Sequence, residues 1–156
     1  MRKRIIGQVQ KCSPADDQWL NLERLARAEI SSEDAECPIE SAIRPGSKEG
    51  WRAAHAGEQV VRFVFDRSQR IRRIRLVFQE ERQKRTQEFS LAWSGENNRT
   101  PQEIVRQQYN FNPPQNTREV EDYQVDLHGV KVIELRIRPD ISGGDIRAAL
   151  CLIQVA

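Results

Sequence analysis

The chain has 156 residues, of which 38% are hydrophobic, 31% charged and 6% aromatic, and its formal charge is +2. This length fits one domain with a single core, and no apolar stretch approaches the roughly 18 residues of a membrane-spanning helix. An isoelectric point near 8.6 argues against a dedicated nucleic-acid binder. The segment 1–8 turns polar too early for a signal peptide, so the sequence predicts a cytoplasmic protein.

The first fifty residues carry weak signals for regular structure. Ile5–Val9 is long enough for a short strand. Ser13, Pro14 and Asp16 supply a capping hydroxyl, a first-turn proline and a carboxylate three residues after the cap, which predicts a helix over Asp16–Ala28. A strand through this segment is the alternative. We expect residues 1–27 to pack, as a short helical or extended segment, on a domain formed by residues 28–156.

From residue 59 onward, apolar residues recur at every second position. The inward positions of the seven runs are Val61, Phe63, Phe65; Ile74, Leu76, Phe78; Phe89, Leu91, Trp93; Val105, Gln107, Tyr109, Phe111; Tyr123, Val125, Leu127; Ile133, Leu135, Ile137; and Cys151, Ile153, Val155. Turn residues separate the runs at 66–68, 94–98, 112–114, 128–129 and 142–144. Strands with one buried and one solvent-facing side predict an all-β sandwich or barrel. The inward amide of Gln107 needs a hydrogen-bond partner there.

The outward positions of these strands are mostly charged. They include Arg62, Arg73, Arg75, Glu88, Glu134, Arg136 and Arg138. Twenty of the 25 basic residues are Arg, whose planar guanidinium pairs with carboxylates and other anions. Cross-strand ion pairs are the expected structural role, and a ligand-binding sheet face is the alternative.

The cysteines and histidines do not form a metal-binding pattern. Cys12, Cys37 and Cys151 contain no CxxC pair, and neither His55 nor His128 has a second ligand at metal spacing. The sequence therefore predicts free thiols in a reducing compartment, no zinc site and no cofactor. No nucleophile–His signature is present, so catalysis is not expected, although a spatial pair of carboxylates for glycoside hydrolysis stays open. The acids at 119–122 are expected at the surface.

Several segments resemble one known superfamily. Residues 38–43, 50–53 and 58–63 resemble the opening of discoidin-like domains, also called galactose-binding-like or coagulation-factor C-type domains. Residues 85–89, 106–111 and 139–144 are similar to motifs of small bacterial members described as carbohydrate-binding. The resemblance covers residues 28–156. It implies a jelly-roll β-sandwich and a non-catalytic module that binds a carbohydrate or similar polar ligand.

One loop departs from the superfamily pattern. Many members bind a structural calcium ion through an acidic loop, but here residues 44–48 contain Arg44 and Lys48 and no acid. Calcium requires six to eight oxygen ligands, usually including carboxylates, and nearby cations repel it. We therefore expect no calcium, and no other metal, at this loop.

Alternate loops of an antiparallel sandwich share one end, which predicts where a ligand binds. Segments 44–58, 80–85, 112–118 and 139–146 belong to one end, and the resemblance implies binding at the same end. Arginine donors, carboxylate acceptors and one tryptophan suit a hydroxylated ligand. The candidate ligand-binding residues are Arg44, Lys48, Trp51, Arg52, His55, Arg82, Arg85, Asn112, Asn116, Arg118, Asp140 and Asp145.

Other interpretations stay open at this stage. Trp51 is better explained as a core residue, and the arginines of this end either pair with local acids or bind a ligand. The main rival function is an intracellular protein-interaction module, because no export signal is seen and surface arginines suit the carboxylates of a partner. The resemblance also implies it, since this fold serves in a DNA single-strand-break repair scaffold. A glycoside hydrolase is the third. Neither nucleic acid nor membrane is expected as a partner.

Overall fold

A computed structural model describes residues 19–47 and 49–156. These two ranges contain two single-turn helices, α1 and α2, and eight strands, β1–β8. In chain order they are α1 (Leu22–Leu25), β1 (Ala26–Ile30), α2 (Glu40–Ile43), β2 (Trp51–Ala56), β3 (Gln59–Gln79), β4 (Arg85–Gly95), β5 (Gln102–Phe111), β6 (Arg118–Arg138), β7 (Arg147–Leu150) and β8 (Leu152–Val155). In the described ranges no helix has the length and apolar character needed to cross a bilayer.

Strands β3 and β6 form a long antiparallel ribbon that enters both layers of a sandwich. Gln59 pairs with Ile137 at one end of the ribbon and Gln79 pairs with Arg118 at the other. The register shifts between Val64 and Arg73, where the ribbon bends. Shifts of this kind are β-bulges, which increase the local twist and bend the strand.

Each half of the ribbon carries its own layer. The first layer is ordered β1, β3, β6, β4, β5 and uses the first half of β3 and the second half of β6. In the second layer β8 pairs with the other half of β3. The β2–β7 pair extends this layer, because the Cys151 amide, directly after β7, donates to the Val77 carbonyl of β3 at 2.9 Å. The rings of Phe78 and Phe89 meet between the layers, with centroids 5.2 Å apart.

The two-residue periodicity correctly predicted the core. The predicted inward residues that the structure buries are Val61, Phe63, Phe65, Ile74, Leu76, Phe78, Phe89, Leu91, Phe111, Ile133, Leu135, Ile137, Ile153 and Val155. The all-β sandwich is therefore confirmed. Gln107 is half-buried on β5, and its side chain lies close enough to Tyr123 on β6 to act on that hydroxyl by lowering its pKa.

Two of the predicted turns are not chain reversals. Residues 66–68 lie within β3 and residues 128–129 lie within β6, so four predicted strands merge into two, while the last run divides at Cys151 into β7 and β8. Polar residues and glycine suit a bend as well as a turn, and composition does not separate the two. Because the bend also returns the chain to the same end, the predicted grouping of loops still holds.

The helix predicted over Asp16–Ala28 was wrong in its extent. Among the described residues the helix is the single turn α1, capped by the Asn21 side chain, which accepts from the Arg24 amide at 3.2 Å. From Ala26 the chain pairs with β3 as an edge strand, and the ladder hydrogen bonds override helical propensity. The strand predicted at Ile5–Val9 lies outside the described residues, and the division of the chain at residue 28 stays a prediction.

The charged outward positions form cross-strand ion pairs. Arg62 contacts Glu134 at 2.6 Å and Arg73 contacts Asp122 at 2.6 Å, both between β3 and β6. On the neighbouring pair of strands Arg106 contacts Glu88 at 2.7 Å. The predicted structural role is confirmed for Arg62, Arg73, Glu88 and Glu134, and Arg136 lies 3.6 Å from Glu58; for Arg75 and Arg138 it stays a prediction.

A close backbone approach at Gly50 gives a first prediction. Gly50 has φ +66°, and a Cβ there would lie 2.3 Å from the Leu150 carbonyl oxygen, an atom held in the β2–β7 pair. Gly50→Ala is expected to lower the free energy of unfolding by more than about 2 kcal/mol, measured by urea denaturation. Gly46→Ala is the control, because Gly46 also has a positive φ, +85°, but faces open space. Equal losses for the two variants would contradict the steric argument.

Candidate functional site

Three loops meet at one end of the sandwich and are joined by hydrogen bonds. These are residues 80–84, 112–117 with the adjoining Arg118, and 139–146, called the loop end below. The Glu80 amide donates to the Thr117 carbonyl at 2.8 Å, and the Ile141 amide donates to the Thr86 carbonyl at 2.9 Å. Three of the four segments predicted to share an end therefore meet, because β3, β4 and β6 all begin or finish there; the fourth, 44–58, contains strand β2.

Arg85 lies beneath these loops rather than at their surface. Its guanidinium contacts the Glu80 carboxylate at 2.7 Å, the Pro139 carbonyl at 2.6 Å and the Gln87 side chain at 3.1 Å. It also lies over the Phe111 ring at 4.6 Å. With 5% of its surface exposed, this predicted ligand-binding residue clamps the loops together and presents no surface to a ligand.

Trp51 is also part of the fold. It is fully buried, and its indole Nε1 donates to the Ser32 carbonyl at 3.2 Å. This agrees with the core role that the sequence favoured for it, and it removes the aromatic platform from the list of candidate binding groups.

Arg44 and Lys48 do not contribute described groups to the loop end. Arg44 forms a bidentate pair with Glu23, which lowers the pKa of that carboxyl. This arginine is therefore one that pairs with a local acid. Lys48 lies outside the described residues.

The remaining candidates divide between two surfaces. Arg52 and His55 are exposed on β2, and the Arg52 amide donates to the Cys37 carbonyl at 3.1 Å. The loop end itself carries the other exposed groups. These are Arg82, Asn112, Asn116, Arg118 and Asp145, with the partly exposed Asp140 beside them.

The exposed loop-end groups differ in how strongly the fold engages them. Asn112 and Asn116 close their turn through backbone bonds, which leave both side-chain amides facing solvent. The Asp140 carboxylate accepts from the Ser142 amide and hydroxyl, at 3.1 and 2.9 Å. The guanidinium groups of Arg82 and Arg118 form no hydrogen bond or ion pair with any described residue. They are the free guanidinium groups of this surface among the described residues.

A buried polar cluster lies directly under the loop end, and the sequence interpretation missed it. Glu119 is 1% exposed; its Oε1 accepts from Gln87 at 3.2 Å, and no donor reaches Oε2. Burial and the adjacent Glu121 raise the pKa of Glu119 to about 8. Burial likewise raises the pKa of Tyr123, whose hydroxyl donates to Glu121 at 3.1 Å.

The expectation that residues 119–122 form a solvent-facing acidic surface was therefore wrong for Glu119. The inward phase of Tyr123, Val125 and Leu127 continues backward through Glu121 to Glu119, so the periodicity contained the signal. Because carboxylates are usually exposed, these acids were expected at the surface in spite of this periodicity.

The described part of the chain has no cluster of metal-ligating side chains. Residues 19–47 and 49–156 contain no cluster of three or more His, Cys, Asp or Glu side chains. His128 is exposed on β6 and lies 3.1 Å from Asp126.

Comparison with known proteins identifies the fold. No protein-family model and no curated protein sequence matches the chain. Among solved structures, the family 32 carbohydrate-binding module of C. perfringens NanJ in complex with galactose is 13% identical, with 88% of this chain and 96% of that chain covered and a TM-score of 0.63. The chain has the galactose-binding-like, or discoidin-like, fold. The jelly-roll β-sandwich that the sequence resemblance implied is therefore confirmed as a fold.

Two further structures share the galactose-binding-like fold and differ in what their names say they bind. The lectin domain of lectinolysin, a mutant complexed with Lewis b, is 10% identical over 87% of this chain and 94% of that chain, with a TM-score of 0.59. XRCC1 bound to the DNA polymerase β catalytic domain is 12% identical over 85% of this chain and 95% of that chain, with a TM-score of 0.59. The specific kinship with small bacterial proteins stays a prediction.

Proposed function

We propose that this galactose-binding-like domain is a non-catalytic module that binds a carbohydrate through its loop end. Three similar structures support the carbohydrate class by their names, which specify galactose, Lewis b and pectin. The chemistry of the loop end supports the location.

We further propose a reducing, cytoplasmic setting, because Cys37 and Cys151 are free thiols.

The observation that carries the proposal is a contrast between two sets of arginines. Arg62, Arg73 and Arg106, on the sheet faces, contact carboxylates at 2.6–2.7 Å. Arg82 and Arg118, at the loop end, have no such partner among the described residues. An unpaired guanidinium offers several N–H donors in a fixed fork, which suits the ring and hydroxyl oxygens of a sugar.

The neighbouring side chains complete a donor and acceptor set. The amides of Asn112 and Asn116 both donate and accept, and the carboxylate of Asp145 accepts from sugar hydroxyls. With Trp51 buried, hydrogen bonding rather than aromatic stacking dominates recognition, so we propose that affinity is modest and that it depends on the arginines.

The proposed absence of catalysis follows from where the carboxylates lie. Glu119 and Glu121 are adjacent, but Glu119 is sealed beneath the loops, so a glycosidic bond does not reach between them. A glycosidase needs its two carboxyl groups on either side of the bond that it cleaves.

A glycan array of the purified protein, followed by titration of the strongest ligand into variants, tests the proposal. Arg118→Ala and Arg82→Ala are each expected to weaken binding by about tenfold, since a charge-assisted hydrogen bond contributes about 1.5–3 kcal/mol. Arg70→Ala is the matched control: Arg70 is exposed on β3 and contacts Asp126 at 3.1 Å, away from the loop end. It is expected to bind like the parent.

Two outcomes contradict the proposal. Unchanged affinity in both loop-end variants removes the site. A silent array together with a stoichiometric complex with one purified protein partner favours the interaction module instead.

A further inference from the structure

A cavity of about 390 Å³ lies on the outer face of the first layer, away from the loop end. We call it the outer-face cavity. It spans β1, β3, β6 and β4 and is bordered by the loop 96–101, and a second depression adjoins it through Ser94, Arg99 and Val132. Its volume falls in the range of small-molecule sites, about 300–1,000 Å³.

The floor of the outer-face cavity is apolar, which is unusual for this face. Val64 and Val132 are cross-strand partners, and Ala92 lies beside them on β4. Elsewhere on this face charged pairs such as Arg62–Glu134 and Arg106–Glu88 join neighbouring strands. The small side chains therefore leave a hollow with an apolar base and charged walls.

The wall of the cavity contains two arginines that contact acids and one that does not, and the first of them, Arg27, lies 3.8 Å from the Glu29 carboxylate. Arg62 contacts Glu134 at 2.6 Å and Glu29 at 3.4 Å, so it is fixed in place by two acids. Arg99 lines the same cavity and forms no hydrogen bond or ion pair with any described residue. Asn98 orders the loop beside it, because its carbonyl accepts from the Gly95 amide at 2.9 Å and its side chain accepts from the Thr100 amide at 3.2 Å.

We propose that the outer-face cavity binds a carboxylate-bearing sugar ring, that is, a uronic acid unit. The free fork of Arg99 matches a carboxylate in bidentate geometry. Glu29, Glu134 and Arg62 supply acceptors and donors for ring hydroxyls. Val64 and Val132 accommodate the C–H face of the ring, and the three arginines of the wall, Arg27 included, exceed its two acids by one positive charge.

This inference extends the function to a second site and does not depend on the loop end. None of the residues that line the outer-face cavity belongs to segments 80–85, 112–118 or 139–146. The loop 96–101 joins the ends of β4 and β5 that point away from the loop end. Failure at one site therefore leaves the other intact.

Titration with galacturonate and with galactose tests the proposal, because these sugars differ only in the carboxylate. Calorimetry is expected to show galacturonate binding about tenfold more tightly than galactose. NMR shifts are expected at Ser94 and Val132. Arg99→Gln is expected to remove the preference, while the matched control Arg70→Gln is expected to keep it.

A second variant guards against indirect effects of the loop substitution. Ala92→Leu fills the apolar floor and is expected to weaken galacturonate binding by about tenfold without changing the thermal midpoint. Equal affinity of the parent protein for the two sugars overturns the proposal. So does a retained preference in Arg99→Gln, or galacturonate shifts confined to residues 112–118, since those place the carboxylate at the loop end.

Discussion

Glu119→Gln is expected to stabilise the protein, and the gain is expected to grow as the pH rises. In the folded protein the pKa of Glu119 is about 8, against an ordinary value of 4.5, because the carboxyl is buried beside Glu121. Between these values the folded state holds a proton that the unfolded state has released, so the free energy of unfolding falls with rising pH. Above pH 8 the loss is complete.

The amide of glutamine imitates the protonated acid throughout this range. It keeps an acceptor for Gln87 and gains donors toward Glu121, while Arg85 and Tyr123 remain on the other sides of the cluster. The expected gain is near zero at pH 4 and on the order of 3 kcal/mol at pH 8. Urea denaturation at pH 4, 6 and 8 measures it.

Asp122→Asn provides a control of opposite sign. Arg73 lowers the pKa of Asp122, so its charged form stabilises the fold above its ordinary pKa of 3.8 and that contribution is lost as the solution is acidified. This variant is expected to be less stable than the parent at pH 7, with the difference closing at low pH. A gain for Glu119→Gln that is independent of pH would contradict the protonated state assigned to Glu119.

Arg85→Ala is expected to destabilise the protein by about 3–5 kcal/mol at pH 7. The substitution leaves the Glu80 carboxylate, the Gln87 amide and the Pro139 carbonyl without their shared donor, and removing one member of a buried ion pair has a cost of this size. Urea denaturation measures the loss. Arg82→Ala, at an exposed arginine three residues earlier, is the matched control and is expected to change stability by less than about 0.5 kcal/mol.

The same pair of variants separates the structural role of Arg85 from the ligand-binding role predicted for it. If Arg85 clamps the loops, Arg85→Ala loses stability, and Arg82→Ala loses only affinity. If Arg85→Ala instead keeps its stability and loses only affinity for sugar, the guanidinium reaches the ligand and the clamp is refuted.

Sequence patterns predicted the strands well because strand periodicity is local. Each of Phe63, Leu76 and Leu135 lies on the inward phase of its own run, and each is buried in a strand. The meeting of the three loops was predictable as well, since reversal of direction requires only a count of strands. The turn wrongly predicted at 66–68 did not change the assignment of loops to ends, because the bend that the structure has there also reverses the direction of the chain.

The sequence by itself determined an all-β chain, its inward residues and the end at which its loops gather. Only the tertiary structure decided which charged residues are free. Arg85 and Arg118 look alike in the sequence, but Arg85 meets a carbonyl 54 residues away, and Glu119 meets a glutamine 32 residues away. Whether a charged residue is buried depends on partners that packing brings from distant segments of the chain. The alternation of apolar residues, in contrast, is a property of each strand alone.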